Sequence, residues 1–262
     1  MALAFPDFDP VALRLGPLAI RWYALSYIVA LTVGWRYLRW LAARSQAKIS
    51  ALEIDDFLVW ATLGVVLGGR LGYVLFYKPG YYFNDPLQIA ILWHGGMSFH
   101  GGALGVIIAL LLYCRRHNLR VLVFGDLLCC VVPLGPLFVR LANFVNGELY
   151  GRPADLPWAM VFPGGGPLPR HPSQLYEAGL EGAVLLILMH LAWRRPALRN
   201  KRGFLSGLFL CGYAVARMIA EFFRQPDEFL GFLWGGATLG QLLSLPLLVA
   251  GMILMLRAKP DA

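Results

Sequence analysis

Residues 121–139 read VLVFGDLLCCVVPLGPLFV, and residues 140–152 read RLANFVNGELYGR. The first stretch is almost wholly apolar and close to the roughly 20 residues that a helix needs to cross a hydrocarbon layer. The second sets two arginines, two asparagines and a glutamate within thirteen positions. Such a boundary marks either arrival at water or the start of a polar site held by membrane helices, and the flanking sequence has to separate the two.

The chain of 262 residues is 58% hydrophobic, and its mean hydropathy of +0.61 is far from that of soluble domains, which places it in the membrane class. Helix-length apolar windows fall at about 18–40, 57–77, 98–113, 121–139, 177–193, 204–223 and 237–256. The expected fold class is therefore all-α: a polytopic integral membrane protein of about seven transmembrane helices. It is read as one transmembrane domain over residues 1–262, with a loop region at about 140–176. The third window is short and follows HGGMSFHGG (94–102), whose paired glycines either make a re-entrant turn or let the helix begin earlier. At the N-terminus, Asp7 and Asp9 stand where a cleavable signal peptide would carry positive charge, so the first apolar run is expected to stay as an anchor. The four cysteines show no C-x-x-C spacing and no histidine partner; they read as small core residues, and no metal or other cofactor is expected.

Basic residues follow alternate windows: Arg36, Arg39, Arg44 and Lys48; Arg115, Arg116 and Arg120; RRPALRNKR (194–202); Arg257 and Lys259. By the positive-inside rule these face the cytoplasm, which puts the N-terminus in the periplasm and the C-terminus in the cytoplasm. The net charge of +8 is then explained by topology and by anionic membrane lipids, with no nucleic-acid partner. The segments left outside are about 1–17, 78–97, 140–176 and 224–236.

With this topology, the polar residues of the apolar segments gather in the outer leaflet. Tyr23 opens the first window, Arg70 lies in the second and His100 opens the third; Arg140, Asn143, Asn146, Glu148 and Arg152 close the fourth; Glu177 and Glu181 open the fifth; Arg217, Glu221 and Arg224 close the sixth. Charge at mid-bilayer costs at least about 2.5 kcal/mol, so a set drawn from most of the helices to one level is a site by default. Structural explanations stand beside this one. Arg217 and Glu221 are spaced for a salt bridge along one helix face. Glu177 and Glu181 carry like charge at the same spacing, so at least one is expected to meet an arginine. Gly64, Gly68 and Gly72 form a small-residue ridge around Arg70, which suits helix packing with an internal ion pair for the arginine. His100 could be a satisfied buried histidine.

Chemically, the combination suits a phosphodiester at headgroup depth. The guanidinium fork matches phosphate oxygens in pairs, so Arg140 and Arg217 could clamp one phosphate. Asn143, Asn146 and Glu148 could hydrogen-bond headgroup hydroxyls or orient the arginines, and His100 could take a proton near neutral pH.

RLANFVNGELYGR, together with RWYALSY (21–27), HGGMSFHGG (94–102), RHPSQLYE (170–177) and EFFRQPD (221–227), resembles the characteristic blocks of the prolipoprotein diacylglyceryl transferase family, in order and over nearly the full length. The resemblance implies a multi-pass enzyme of the bacterial inner membrane whose active site faces the periplasmic leaflet. It would transfer the diacylglyceryl group of phosphatidylglycerol to the lipobox cysteine of a prolipoprotein signal peptide, forming a thioether and releasing glycerol phosphate. By motif position it implies that Arg140 and Arg217 are the key arginines, that His100 is the base, and that Tyr23, Asn143, Glu148, Gly151 and Glu221 also serve activity. Two departures stand out: Val139 and Ala142 occupy places where glycine is usual. The loop GGGPLP (164–169) is also shorter than in some relatives.

Two other classes compete. A transporter of organic anions would show repeat symmetry and polar groups on both faces. An intramembrane protease would need a serine–histidine dyad or paired aspartates, for which Ser98 with His100 and the single Asp126 are poor material. Neither accounts for the five blocks. The topology is testable: with the native cysteines removed, single cysteines at Asp9 and Ala262 should react with an impermeant thiol reagent from the periplasm only at the first. Labelling at Ala262 would overturn the map.

Overall fold

The computed structural model describes residues 3–6, 8–226 and 231–260. Asp7 and Asp227, which enter the readings of the N-terminus and of EFFRQPD, and Ala262, the second labelling position, lie outside the described residues.

The described chain is mostly helical. Its long helices are α1 (Trp22–Ala43), α2 (Ala51–Phe76), α3 (Phe99–Arg116), α4 (Val121–Val145), α5 (Ser173–Trp193), α6 (Phe204–Glu221) and α7 (Leu239–Arg257). Six of them, α2 to α7, are long and apolar enough to cross a membrane, against the seven windows counted in the sequence. The difference is α1, which has 22 residues but carries Arg36 and Arg39 in its second half. The chain is also inside-out relative to a water-soluble protein. Leu63, Leu67, Ile107, Leu188, Leu245 and Leu256 are exposed while Arg70, Asp126, Glu177, Glu181 and Glu221 are buried. That distribution suits an apolar solvent, in which charges turn inward to find partners.

Contacts divide the chain into two compact units, residues 39–125 and residues 1–38 with 126–262. In the first of these, α2 starts six residues before its apolar window because Ser50 and Glu53 form a capping box, Ser50 Oγ accepting from the Glu53 amide at 3.2 Å and Glu53 Oε2 accepting from the Ser50 amide at 2.6 Å. The Gly64–Gly68–Gly72 ridge lies against Gly101 and Gly105 of α3, backbone to backbone. A Cβ on Gly64 would stand 2.6 Å from the Gly105 carbonyl oxygen, and one on Gly72 would stand 2.8 Å from the Gly101 Cα. The approach to α3 resolves the ambiguity of the third window. Residues 86–94 form two short 3₁₀ turns, Gly95 and Gly96 take φ of 78° and 85°, and the helix begins at Phe99 with Ser98 as its side-chain cap.

Arg70 corrects an expectation: among the described residues it has no acidic partner. It is buried and donates to the carbonyls of Gln88 (2.6 Å), Ile89 (2.9 Å), Ile91 (2.9 Å) and Gly96 (3.1 Å), as well as that of Gly95. The turns before α3 present five carbonyls to one guanidinium, which gathers them; that of Gln88 also accepts from the Ile91 amide at 3.2 Å.

In the other unit, β2 (Val11–Leu15) and β3 (Leu18–Arg21) form an antiparallel hairpin leading into α1, while β1 (Leu3–Ala4) pairs in parallel with β4 (Met160–Val161). Helix α4 is two α-helical pieces, Val121–Cys129 and Leu134–Val145, joined by a turn ending in Pro133. It runs past its apolar window, so Arg140 and Asn143 stand on its last turns rather than in a loop. Helix α5 contains a π-helical stretch, Ala178–Val184, and there Gly182 meets α4 so closely that a Cβ would come 2.7 Å from the Leu137 Cα. Asp126 of α4 completes the start of α6: its carboxylate accepts from the amides of Gly203 and Ser206 and from the Ser206 hydroxyl, each at 2.7 Å. All four cysteines are free thiols.

If the α2–α3 pair depends on glycine-to-glycine contact, Gly105→Leu should part it. Overpacking of this kind costs about 1–3 kcal/mol, to be read as a lower melting midpoint of the purified protein. An unchanged midpoint would show that the two helices do not need the contact.

Candidate functional site

The end of α4 is built from its own sequence. Asn146 is the C-cap and Gly147, at φ 66°, is the left-handed residue after it. The Gly147 amide bonds the Phe144 carbonyl at 2.9 Å, and the Glu148 amide bonds the Asn143 carbonyl at 3.1 Å, the paired bonds of a Schellman ending. This turn brings Glu148 back over the helix, where its Oε1 accepts from Asn143 Nδ2 at 2.8 Å and Asn146 Nδ2 at 3.2 Å. Leu149 then takes φ 57°, an uncommon value for a branched residue. Two residues that open α5 hold that turn. Gln174 Nε2 donates to the Glu148 carbonyl at 2.6 Å, and Ser173 Oγ donates to the Leu149 carbonyl at 3.0 Å.

One turn further along α5, Glu177 is fully buried and gathers arginines from two other segments. Its Oε2 lies 2.8 Å from Arg140 Nη2, 2.9 Å from Arg217 Nη1 and 3.7 Å from Arg224 Nη1. Arg217 also reaches Glu181 Oε1 at 3.3 Å and Glu221 Oε1 at 2.5 Å. Three arginines and three glutamates thus balance within the C-terminal ends of α4 and α6 and the N-terminal end of α5. The balance is what makes burial of so many charges tolerable. All three arginines are partly exposed, Arg140 by 18%, Arg217 by 15% and Arg224 by 12% of the side-chain surface. Arg140 Nη1 makes only a long contact to Asn143 Oδ1, 3.4 Å, and among the described residues neither Arg140 Nε nor Arg217 Nε meets an acceptor. Each keeps a donor edge for an anion.

Gly151 explains itself by proximity. Its amide bonds the His171 carbonyl at 2.9 Å, and a Cβ would come 2.7 Å from the His171 Cβ and into the Phe223 carbonyl. Any side chain would push residues 150–152 away from the end of α6. Arg152 fastens the same junction, donating to the carbonyls of Arg224 (2.9 Å) and Glu221 (3.0 Å) while its guanidinium lies 4.9 Å over the Phe232 ring. Burial, and then the charge of Arg152, hold the His171 imidazole below its usual pKa. Its Nδ1 lies 3.2 Å from the Tyr176 hydroxyl.

Of the residues singled out in the sequence, Arg140, Asn143, Asn146, Glu148, Arg217 and Glu221 come together in one hydrogen-bonded network, with Gly151 beside it. Tyr23 is not joined to it: the residue is exposed on the first turn of α1, its hydroxyl 3.2 Å from that of Tyr27. His100 belongs to the other unit, at the second residue of α3, and is exposed rather than buried. The centre of the network, Glu177, was legible only as half of a like-charge pair that needed an arginine. Ser173 and Gln174 fall within the block RHPSQLYE, but nothing in the sequence shows that they grip the carbonyls of Leu149 and Glu148.

The fold is that of a multi-pass, mostly helical membrane protein, and its cluster is charge-balanced, with arginine donors left without an acceptor among the described residues. Residues 10–257 match the family described as prolipoprotein diacylglyceryl transferase, and the chain belongs to that family. The phosphatidylglycerol–prolipoprotein diacylglyceryl transferase of Paramagnetospirillum magneticum is 62% identical over 255 residues, covering 97% of this chain and 95% of the relative. The proteins of the same name from Rhodospirillum rubrum and Gluconacetobacter diazotrophicus are 60% and 59% identical, over 100% and 98% of this chain and 97% and 92% of their own.

The cluster also depends on a glycine outside the motifs. A Cβ on Gly240, the second residue of α7, would lie 2.7 Å from Glu221 Cδ. Gly240→Ala should displace Glu221 from Arg217 and lower the transferase rate by about tenfold or more. Adding Glu221→Asp, whose shorter side chain avoids the new methyl, should recover part of it. Full activity of the single variant would remove Glu221 from the working geometry.

Proposed function

We propose that this chain transfers the diacylglyceryl group of phosphatidylglycerol to the lipobox cysteine thiol of a prolipoprotein signal peptide, as the first step of bacterial lipoprotein maturation. The observation that carries this reading is the pair Arg140 and Arg217, drawn from two helices to one buried carboxylate oxygen with donor edges left open, in a chain of this family. It works as a multi-pass protein of the inner membrane. Counting α1 it has seven membrane helices, with the N-terminus in the periplasm and the C-terminus in the cytoplasm, and the whole chain acts as one transmembrane domain. The cluster then opens toward the periplasmic leaflet, where the signal peptide's cysteine and the lipid headgroup both reside.

The reaction forms a carbon–sulfur bond and breaks a carbon–oxygen bond. The thiol, with an ordinary pKa near 8.5, must lose its proton to attack the glyceryl carbon next to the phosphate, and His100, exposed at the start of α3, takes that proton. The phosphate ester oxygen leaves with the bonding electrons. Its growing charge is met by Arg140 and Arg217, already oriented and shielded from water, which is where such donors are worth most. Asn143, Asn146 and Glu148 shape the same end of α4 and offer hydrogen bonds to headgroup hydroxyls. Gly151 and Glu221 keep the surrounding backbone and Arg217 in place, and Tyr23 lines the approach from α1.

Purified protein in detergent, given phosphatidylglycerol labelled in its headgroup glycerol and a lipobox peptide, tests the chemistry by where label and phosphorus go. Label in free glycerol phosphate, matched by a thioether on the peptide and absent when the cysteine is replaced by serine, is the expected result. Phosphorus retained on the peptide would mean attack at phosphorus instead, and lipid binding with no covalent product would favour a transporter. In the same assay Arg140→Lys should lose about a hundredfold in rate, because a point ammonium cannot replace a two-pronged contact.

A further inference from the structure

We propose that Glu177 is the positioning residue of this site: through one carboxylate oxygen it sets the spacing and facing of Arg140 and Arg217 before any phosphate arrives. The inference rests on the reading that these two arginines receive the phosphate.

Glu177 Oε2 touches Arg140 Nη2 at 2.8 Å and Arg217 Nη1 at 2.9 Å, so two guanidinium groups stand within a few ångströms of each other in a site that water barely reaches. Like charges at that distance repel strongly in low dielectric, and without an anion between them the side chains would turn apart. Glu177 is that anion. Of the two arginines, Asn143, by contrast, meets Arg140 alone, and Glu181 and Glu221 are paired with Arg217 alone, among the described residues. Among the described residues, Glu177 is the group that ties both arginines to one point.

Its own position is over-determined. It is completely buried, and its other oxygen, Oε1, has no hydrogen-bond partner among the described residues, a costly placement for a carboxylate that serves only packing. It stands immediately before the π-helical stretch Ala178–Val184, a feature often found where a helix is bent to a functional purpose. Within that stretch Gly182 fixes the height of α5 against Leu137, one turn before Arg140 on α4. Glu177 is therefore held relative to Arg140 by backbone contact, and the arginines adjust to it. It touches no reacting atom in this scheme and acts through the two arginines.

The test uses purified full-length protein in mixed micelles, with initial rates measured against the surface fraction of phosphatidylglycerol and, separately, against a lipobox peptide. Glu177→Gln, which removes the charge between the arginines, should lower kcat/KM by about a hundredfold, as expected for a misplaced binding group. The loss should appear as a raised KM for phosphatidylglycerol, with the KM for peptide unchanged. Glu177→Asp keeps the charge but withdraws it by one methylene and should fall between. In the double variant Glu177→Gln with Arg140→Lys, the loss should be little more than that of Arg140→Lys alone, because both changes destroy the same contact. Losses that multiply, or a fall in kcat with KM for phosphatidylglycerol untouched, would overturn the proposal. If Glu177→Gln does not accumulate, Glu177→Asp decides: a wild-type KM for phosphatidylglycerol in that variant also overturns it. Failure of the underlying reading looks different. In that case Arg140→Lys and Arg217→Lys would themselves leave the KM for phosphatidylglycerol unchanged.

Discussion

A charge inside a membrane protein has to be answered by its opposite, and here one buried glutamate answers three arginines. An isolated charge at mid-bilayer costs at least about 2.5 kcal/mol. Arg140, Arg217, Arg224, Glu177, Glu181 and Glu221 are acceptable together because they nearly cancel and because geometry lets each reach its partner. That requirement reaches well beyond the six residues. Helices α4 and α5 must meet at Gly182, α7 must present no side chain at Gly240, and the chain after α4 must pass at Gly151 close to the end of α6. Each glycine is a place where one methyl group would meet a neighbouring segment at less than van der Waals distance and disturb the packing around these charges.

In the proposed reaction the same arrangement serves the chemistry. Donors that are held in place before a leaving oxygen gains charge need no reorganisation when it does, which is the main electrostatic advantage of a protein site over water. Holding them requires a counter-charge that does not fill the site itself. Glu177 meets that requirement from behind, with no exposed surface, while the Nε edges of Arg140 and Arg217 stay open. The Schellman ending of α4 supports them from the side: by turning the chain back at Gly147 it places Glu148 against Asn143, one turn from Arg140.

Much of this was legible in the sequence, and what was not has physical reasons. Apolar windows located α2 to α7 because lipid-facing helices must be apolar over their whole length, but a window average sees no caps. It therefore started α2 too late and ended α4 at 139 when the helix runs to Val145. The polar cluster was visible as charge where charge is costly. Arg70 was misread because its partners are backbone carbonyls freed by the turns at residues 86–96, and carbonyls are the same in every residue. Glu177 was visible only as a carboxylate needing a cation; that it would serve both arginines follows from three-dimensional packing, which spacing along the chain does not encode.

Asp126 has a bearing on how the protein is made. Its carboxylate closes the start of α6 through Gly203 and Ser206, groups that lie beyond the whole of α5 in the chain. During synthesis the aspartate leaves the ribosome well before either of them, so α4 must be accommodated while that carboxylate still lacks these donors. The helix ending that it completes can form only when α6 has been delivered beside it. The bonds that join these two segments are thus later than the synthesis of α4, and a buried acid records that order.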